Sequence, residues 1–179
     1  MGDVMLDAAT EYSDVKTDVL ERNSLAPGKY LLLTVHRPVN TDSRENLEGI
    51  LRATEGQDVV FPAHPRTVKL MESHGTKAPA NVRIIKPVNY VESLALLKNC
   101  RKLLTDSGGM QKEAYFFGKP CITLREATEW VETVRCGWNI LVGANPSKIR
   151  RAIETFSPSG EREGFYGDGK ASERIAALL

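Results

Sequence analysis

Residues 30–35, Tyr30-Leu31-Leu32-Leu33-Thr34-Val35, form an unbroken apolar run. A strand with one solvated face alternates apolar and polar side chains, so a continuous run demands cover on both faces. Shorter runs of the same kind recur at residues 59–61, 82–85, 102–105, 121–124 and 139–142. Between them, residues 46–53, 67–73, 91–98, 110–117, 130–135 and 147–156 carry apolar side chains at helical spacing. Strand and helix in strict alternation, with short connections, predict an α/β fold: a Rossmann-like parallel sheet sandwiched by helices. Two stretches stand outside this rhythm. Residues 3–22 are polar and read as helix before any strand, and residues 157–179 are rich in glycine and charge and end in a short helix. Both are expected to dock on something beyond the sheet.

The chain has 179 residues, which suits one domain spanning 1–179, since single domains run to about 100–200 residues. Its formal net charge of +1 lacks the electrostatic footprint of a general nucleic-acid binder. No apolar run approaches the ~20 residues that span a bilayer, and Met1-Gly2-Asp3-Val4-Met5 lacks the charged-then-apolar layout of a signal peptide. Cys100, Cys121 and Cys136 are odd in number with no close pair, which fits buried thiols in a reducing compartment. The expected location is the cytoplasm.

An open parallel sheet binds ligands beyond the carboxyl ends of its strands. Those ends are polar here: His36-Arg37, His64-Pro65-Arg66, Asp106-Ser107-Gly108-Gly109 and Arg125-Glu126. In the third, a strand ends, two glycines follow and a helix opens. Glycines let backbone N–H groups approach a phosphate, and the helix N-terminus is partially positive. Ser107 adds a hydroxyl, and Glu113, one turn further, is placed to accept both hydroxyls of a ribose. The same residues also make an ordinary cap, with Asp106 or Ser107 at the N-cap position. The glycines are not followed by the Lys-Ser/Thr of a Walker loop. His36 has the chemistry of an acid, base or phosphate donor, and Arg37 and Arg125 suit a diphosphate. His64 is a further candidate at its strand end. His74 reads as exposed, and Glu129 and Glu132 suit a helix's first turn. Neither a metal-ligand cluster, a Gly-x-Ser-x-Gly elbow nor a Gly-x-Gly-x-x-Gly fingerprint occurs, so no cofactor or metal is expected.

Together these segments resemble the non-hydrolysing UDP-N-acetylglucosamine 2-epimerase family. The matching residues are Thr34-Val35-His36-Arg37 with Asn40, Asp106 through Ala114, Gly118-Lys119-Pro120, Leu124-Arg125, Thr128-Glu129, Gly137-Trp138-Asn139 and Tyr166 through Ala171. The opening Gly2-Asp3-Val4-Met5-Leu6-Asp7 is similar to the family's inter-domain crossing. The resemblance implies the C-terminal half of a two-domain, glycosyltransferase-B-type enzyme, with the nucleotide sugar held in the cleft. It implies that Ser107, Gly108 and Gly109 hold the diphosphate and Glu113 the ribose. His36 is then a catalytic residue at the sugar end, with Arg37, Arg125, Glu129 and His64 contacting substrate. The implied partners are a UDP-N-acetylhexosamine, an N-terminal domain carrying acid/base carboxylates, and a second copy in a full-length homodimer. The implied reaction inverts C2 by elimination and re-addition of UDP, and this chain alone is expected not to turn over. A glycosyltransferase-B sugar transferase is the competing reading.

Two positions depart from the family pattern. Its His-Arg-x-Glu-Asn reads His36-Arg37-Pro38-Val39-Asn40, and Trp130 stands where typical members have a UDP-binding arginine. The second change is similar to the branch acting on 2,3-diacetamido uronic-acid sugars.

Overall fold

The computed structural model describes residues 2–178. The outermost residues of the expected domain, Met1 and Leu179, lie outside that range. Six strands, β1 (Leu31–Thr34), β2 (Val59–Pro62), β3 (Val82–Ile85), β4 (Lys102–Thr105), β5 (Cys121–Thr123) and β6 (Asn139–Leu141), form one sheet. Every pairing is parallel, and the order is β3-β2-β1-β4-β5-β6. This is a doubly wound Rossmann order, whose direction of winding reverses between β1 and β4.

The continuous apolar runs form strands because successive side chains enter opposite layers. Leu31 and Leu33 join one core with Val59, Phe61, Leu104 and Ile122, while Tyr30 and Leu32 join the other with Val60, Leu103 and Cys121. Burying each large apolar side chain contributes about 1.5–3 kcal/mol, so both faces need helical cover. On the first face lie α4 (Arg44–Ala53), α5 (Pro65–His74) and α9 (Pro146–Thr155), while the short α8 (Val131–Arg135) packs beside β6. In α9, Ile149, Ala152 and Ile153 turn inward at helical spacing. The second face is covered by α2 (Val19–Arg22), α6 (Tyr90–Asn99) and α7 (Gly108–Phe116). Asn89 and Glu92 begin α6 with a reciprocal capping box.

The expected strands match to within a residue, but three details differ. Residues 3–22 are not one helix. They form α1 (Val4–Tyr12) and α2, separated by a polar turn where the Thr17 hydroxyl accepts from Val19 N. A short α3 (Pro38–Thr41) occupies what reads as loop, with Pro38 at a position where its missing N–H costs nothing. The terminal segments dock mainly on α7 and on one another. Asp3 N donates to the Tyr166 carbonyl at 3.0 Å, and the Asp7 carboxylate of α1 accepts from the N–H groups of Ala171 and Ser172 that open α10 (Ala171–Ala176). Gly167, at φ +88°, lies where an added Cβ would come 2.9 Å from the Gly2 Cα, so only glycine closes this junction. Cys100 and Cys121 are buried, and Cys136 is half-buried. Among the described residues, no helix is long and apolar enough to cross a membrane.

Candidate functional site

The winding reversal brings the ends of β1 and β4 side by side. Thr34 pairs with Thr105, and their hydroxyls are 2.6 Å apart. The two following loops are bolted together by Asp106, whose side chain is fully buried. Its carboxylate accepts from His36 N at 3.1 Å, Arg37 N at 3.0 Å and Asn40 Nδ2 at 3.0 Å. Arg37 Nε donates to the Asp106 carbonyl at 2.9 Å, and Asn40 also donates to the Leu124 carbonyl at the end of β5. Three strand ends thus share one hydrogen-bonded frame.

On that frame the His36 ring is half exposed, with Nδ1 3.4 Å from Asp106 Oδ1. Ser107 is the N-cap of α7, its Oγ accepting from Met110 N. The capping reading and the phosphate reading are compatible, because the hydroxyl still has its proton to donate and the first N–H groups of α7 have no partners within the helix. An added Cβ on Gly109 would lie 3.1 Å from Met5 Cε, so the turn stays slim where α1 crosses it. Glu113 is 4% exposed, and burial pushes its carboxyl up to about 7, against the pull of the Tyr90 hydroxyl and of Lys112.

Beside this turn, Arg125 makes a two-pronged ion pair with Glu129, at 2.7 and 2.8 Å. Those bonds hold the Glu129 carboxyl down at about 2. Arg125 therefore meets its neighbour's charge rather than standing open to an anion. His64 caps α5, with Nδ1 accepting from Arg66 N at 3.2 Å, while Arg66 pairs with Asp42. His64 also shares with His36 a cavity of about 370 Å³, whose apolar wall includes Pro87, Val88, Leu96 and Met110. His36, Arg37, Ser107, Gly108 and Gly109 are thus gathered at the β1/β4 ends, and Glu113 lies one turn down α7. Arg125 with Glu129 and His64 occupy the two flanks.

Three participants escape the sequence reading. Asp106 was a candidate only as a helix cap, and nothing local indicates that it serves another loop. Tyr90, at the start of α6, meets Glu113 only through tertiary packing. Lys112 is buried, with Nζ 2.6 Å from Asp3 Oδ2 and 4.4 Å above the Trp130 ring. Trp130 in turn donates Nε1 to the Gly108 carbonyl at 2.8 Å, so it shapes the first turn of α7.

A family model described as UDP-N-acetylglucosamine 2-epimerase matches residues 1–179. A "UDP-N-acetylglucosamine 2-epimerase homolog" of Methanococcus maripaludis is 45% identical over 190 residues, covering 100% of this chain and 53% of the relative. The UDP-2,3-diacetamido-2,3-dideoxy-D-glucuronate 2-epimerase of Pseudomonas aeruginosa is 42% identical over 186 residues, covering 100% and 51%. Among solved structures, the UDP-GlcNAc 2-epimerase of Methanocaldococcus jannaschii, crystallised with UDP-GlcNAc and UDP, superposes with a TM-score of 0.88 at 38% identity. That match covers 99% of this chain and 53% of the solved one. The chain spans about half the length of the curated relatives it matches. A match of the family model over the whole chain, joined to the same fold at a TM-score of 0.88, means that the chain belongs to the UDP-N-acetylglucosamine 2-epimerase family.

Proposed function

We propose that this chain is the C-terminal, nucleotide-binding half of a UDP-N-acetylglucosamine 2-epimerase. The observation that carries the reading is the convergence, at the winding reversal, of the Ser107-Gly108-Gly109 turn, Arg37, His36 and the buried Glu113. Ser107 and the N–H groups opening α7 take the diphosphate, with Arg37 adjacent. The Glu113 carboxylate takes the ribose hydroxyls, and the apolar cavity beneath His64 receives the base. Arg125, Glu129 and His64 border the bound substrate. At the sugar end, His36 handles a proton during anti elimination. C2 loses its proton, the C–H electrons form the C1–C2 double bond, and the C1–O bond breaks with its electron pair leaving on UDP. Re-addition of UDP at C1 and of a proton to the opposite face of C2 completes inversion. Carboxylates for C2 belong to a preceding domain, so the 179-residue chain binds UDP but does not epimerise. The complete enzyme works in the cytoplasm as a homodimer.

Trp130 and the Pseudomonas relative favour a second substrate, a UDP-2,3-diacetamido uronic acid, for the same reaction. The test is proton NMR of UDP-N-acetylglucosamine with this chain in heavy water, repeated with that uronic acid. Broadened uridine signals with an intact C2 proton are expected, and the sugar broadened at lower protein concentration is the preferred one. Absence of broadening overturns nucleotide binding, and loss of the C2 proton overturns the inactivity of the isolated half.

A further inference from the structure

Asp106 immediately precedes the diphosphate turn, yet its side chain forms no part of that turn's own capping, which Ser107 performs. The hydrogen bonds of its carboxylate run instead to the segment after β1. His36 N lies 3.1 and 3.2 Å from the two oxygens, and Arg37 N and Asn40 Nδ2 each 3.0 Å from Oδ2; beyond these bonds, His36 Nδ1 stands 3.4 Å from Oδ1, at ion-pair range. An ionised carboxylate only accepts. Placed beside Nδ1 of a neutral imidazole, it keeps the proton on that nitrogen and leaves the Nε2 lone pair free on the far side of the ring.

We infer that Asp106 is a positioning residue for His36, fixing its neutral ring in the Nδ1–H tautomer and holding it in register with the diphosphate turn. The inference rests on the proposed catalytic use of His36. Its two parts follow from one side chain: the carboxylate sets which nitrogen carries the proton, and its position in the chain ties the ring to Ser107. A histidine whose proton sits on Nδ1 presents Nε2 as a base, and the other tautomer presents a donor instead. The same logic governs the carboxylate–histidine pair of serine proteases, where an amide in place of the carboxylate keeps the geometry and inverts the tautomer.

Asp106→Asn separates positioning from simple bolting of the loop. Its amide oxygen, placed where Oδ2 lies, still accepts from Arg37 N and Asn40 Nδ2, while His36 N loses its acceptor at Oδ1 and keeps only the 3.2 Å contact to the oxygen. Its amide NH₂, placed where Oδ1 lies, donates to His36 Nδ1 and drives the ring proton to Nε2. Ring-nitrogen NMR shifts distinguish the tautomers, and only His36, His64 and His74 need assignment. Measured on the whole chain above the ordinary imidazole range, wild-type His36 is expected as Nδ1–H and Asp106→Asn as predominantly Nε2–H. The variant should keep a dispersed amide spectrum and still broaden the uridine signals of UDP. A wild-type ring carrying its proton on Nε2 overturns the inference, and that result does not depend on the variant folding. A folded variant with an unchanged tautomer also overturns it and leaves Asp106 as a loop bolt. If wild-type chain shows the expected tautomer but leaves UDP unbroadened, the functional reading fails while the Asp106–His36 pairing stands.

Discussion

Lys112 and Glu113 are neighbours in α7, opposite in charge and both buried, but the two sides of the helix treat them differently. On the Lys112 side, the ammonium meets the Asp3 carboxylate at 2.6 Å and lies 4.4 Å from the Trp130 ring centroid and 5.9 Å from that of Tyr166. The beginning of the chain and its tail are thereby fastened to one cation. On the Glu113 side, the Tyr90 hydroxyl and the attraction of Lys112 only partly offset burial, and the carboxyl is pushed up to about 7. One side pairs its charge fully within the chain, and the other holds a carboxyl that burial pushes toward its neutral form. A buried group whose environment works against its charge is a hallmark of a functional site rather than of a scaffold.

Breaking the fully paired side should have the largest effect. Lys112→Met keeps the length and removes the ammonium, leaving a mostly buried Asp3 carboxylate without its ion-pair partner. The expected loss is about 3 kcal/mol, read from the shift in urea unfolding midpoint at constant slope. A loss below about 1 kcal/mol would reduce this contact to an ordinary surface pair.

Glu113→Gln should act in the opposite direction on stability. The folded state raises this carboxyl from 4.5 to about 7, so it binds the proton more tightly than the unfolded chain does. Stability is therefore lost as pH rises through that window, and about 3 kcal/mol is forgone at about pH 8. The amide removes this cost. A gain of about 2 kcal/mol is expected at about pH 8 and almost none at about pH 4. UDP affinity should fall tenfold or more in the variant, because hydroxyl bonds to a charged acceptor contribute about 1.5–3 kcal/mol. Wild-type affinity should weaken as pH drops below about 7, where Glu113 must first release its proton to accept two hydroxyls. Stabilisation together with undiminished UDP binding would remove Glu113 from the ribose site.

The same contrast explains what the sequence makes legible. The strands are readable because a run such as Leu31-Leu32-Leu33 has no other stable use than burial on both faces. The turn at Ser107-Gly108-Gly109 is readable because its residue types are dictated locally. Asp106 is invisible as a tertiary hub, since its partners His36, Arg37 and Asn40 are brought to it only by the pairing of β1 with β4. Nothing local marks Lys112 as internal, and it is the docking of residues 3–12 and of Tyr166 that makes it so. The four residues of α3 are too few to show a period, and the break between α1 and α2 falls in a polar stretch that carries no local stop signal. Local chemistry is written in order along the chain; the compensation of buried charge is not.

The smallest effect tests the flank where the two behaviours meet. Arg125 and Glu129 form a two-pronged pair, but Glu129 is 56% exposed, so the pair's contribution to stability is expected to stay below about 1 kcal/mol. Its consequence for binding is different. In the ligand-free chain, Glu129 occupies the guanidinium that lines the approach to the Ser107 turn and repels an arriving diphosphate. Glu129→Gln should leave the unfolding midpoint nearly unmoved and tighten UDP binding about threefold, as one unfavourable charge is removed at partly screened range. Calorimetric titration with UDP, and then with the UDP-sugar, reads the difference. Tightening with both ligands makes Glu129 a placeholder for the phosphates. Tightening with UDP alone, and weakening with the UDP-sugar, makes Glu129 a contact to the hexosamine, which extends the Glu113 side of the site across to Arg125.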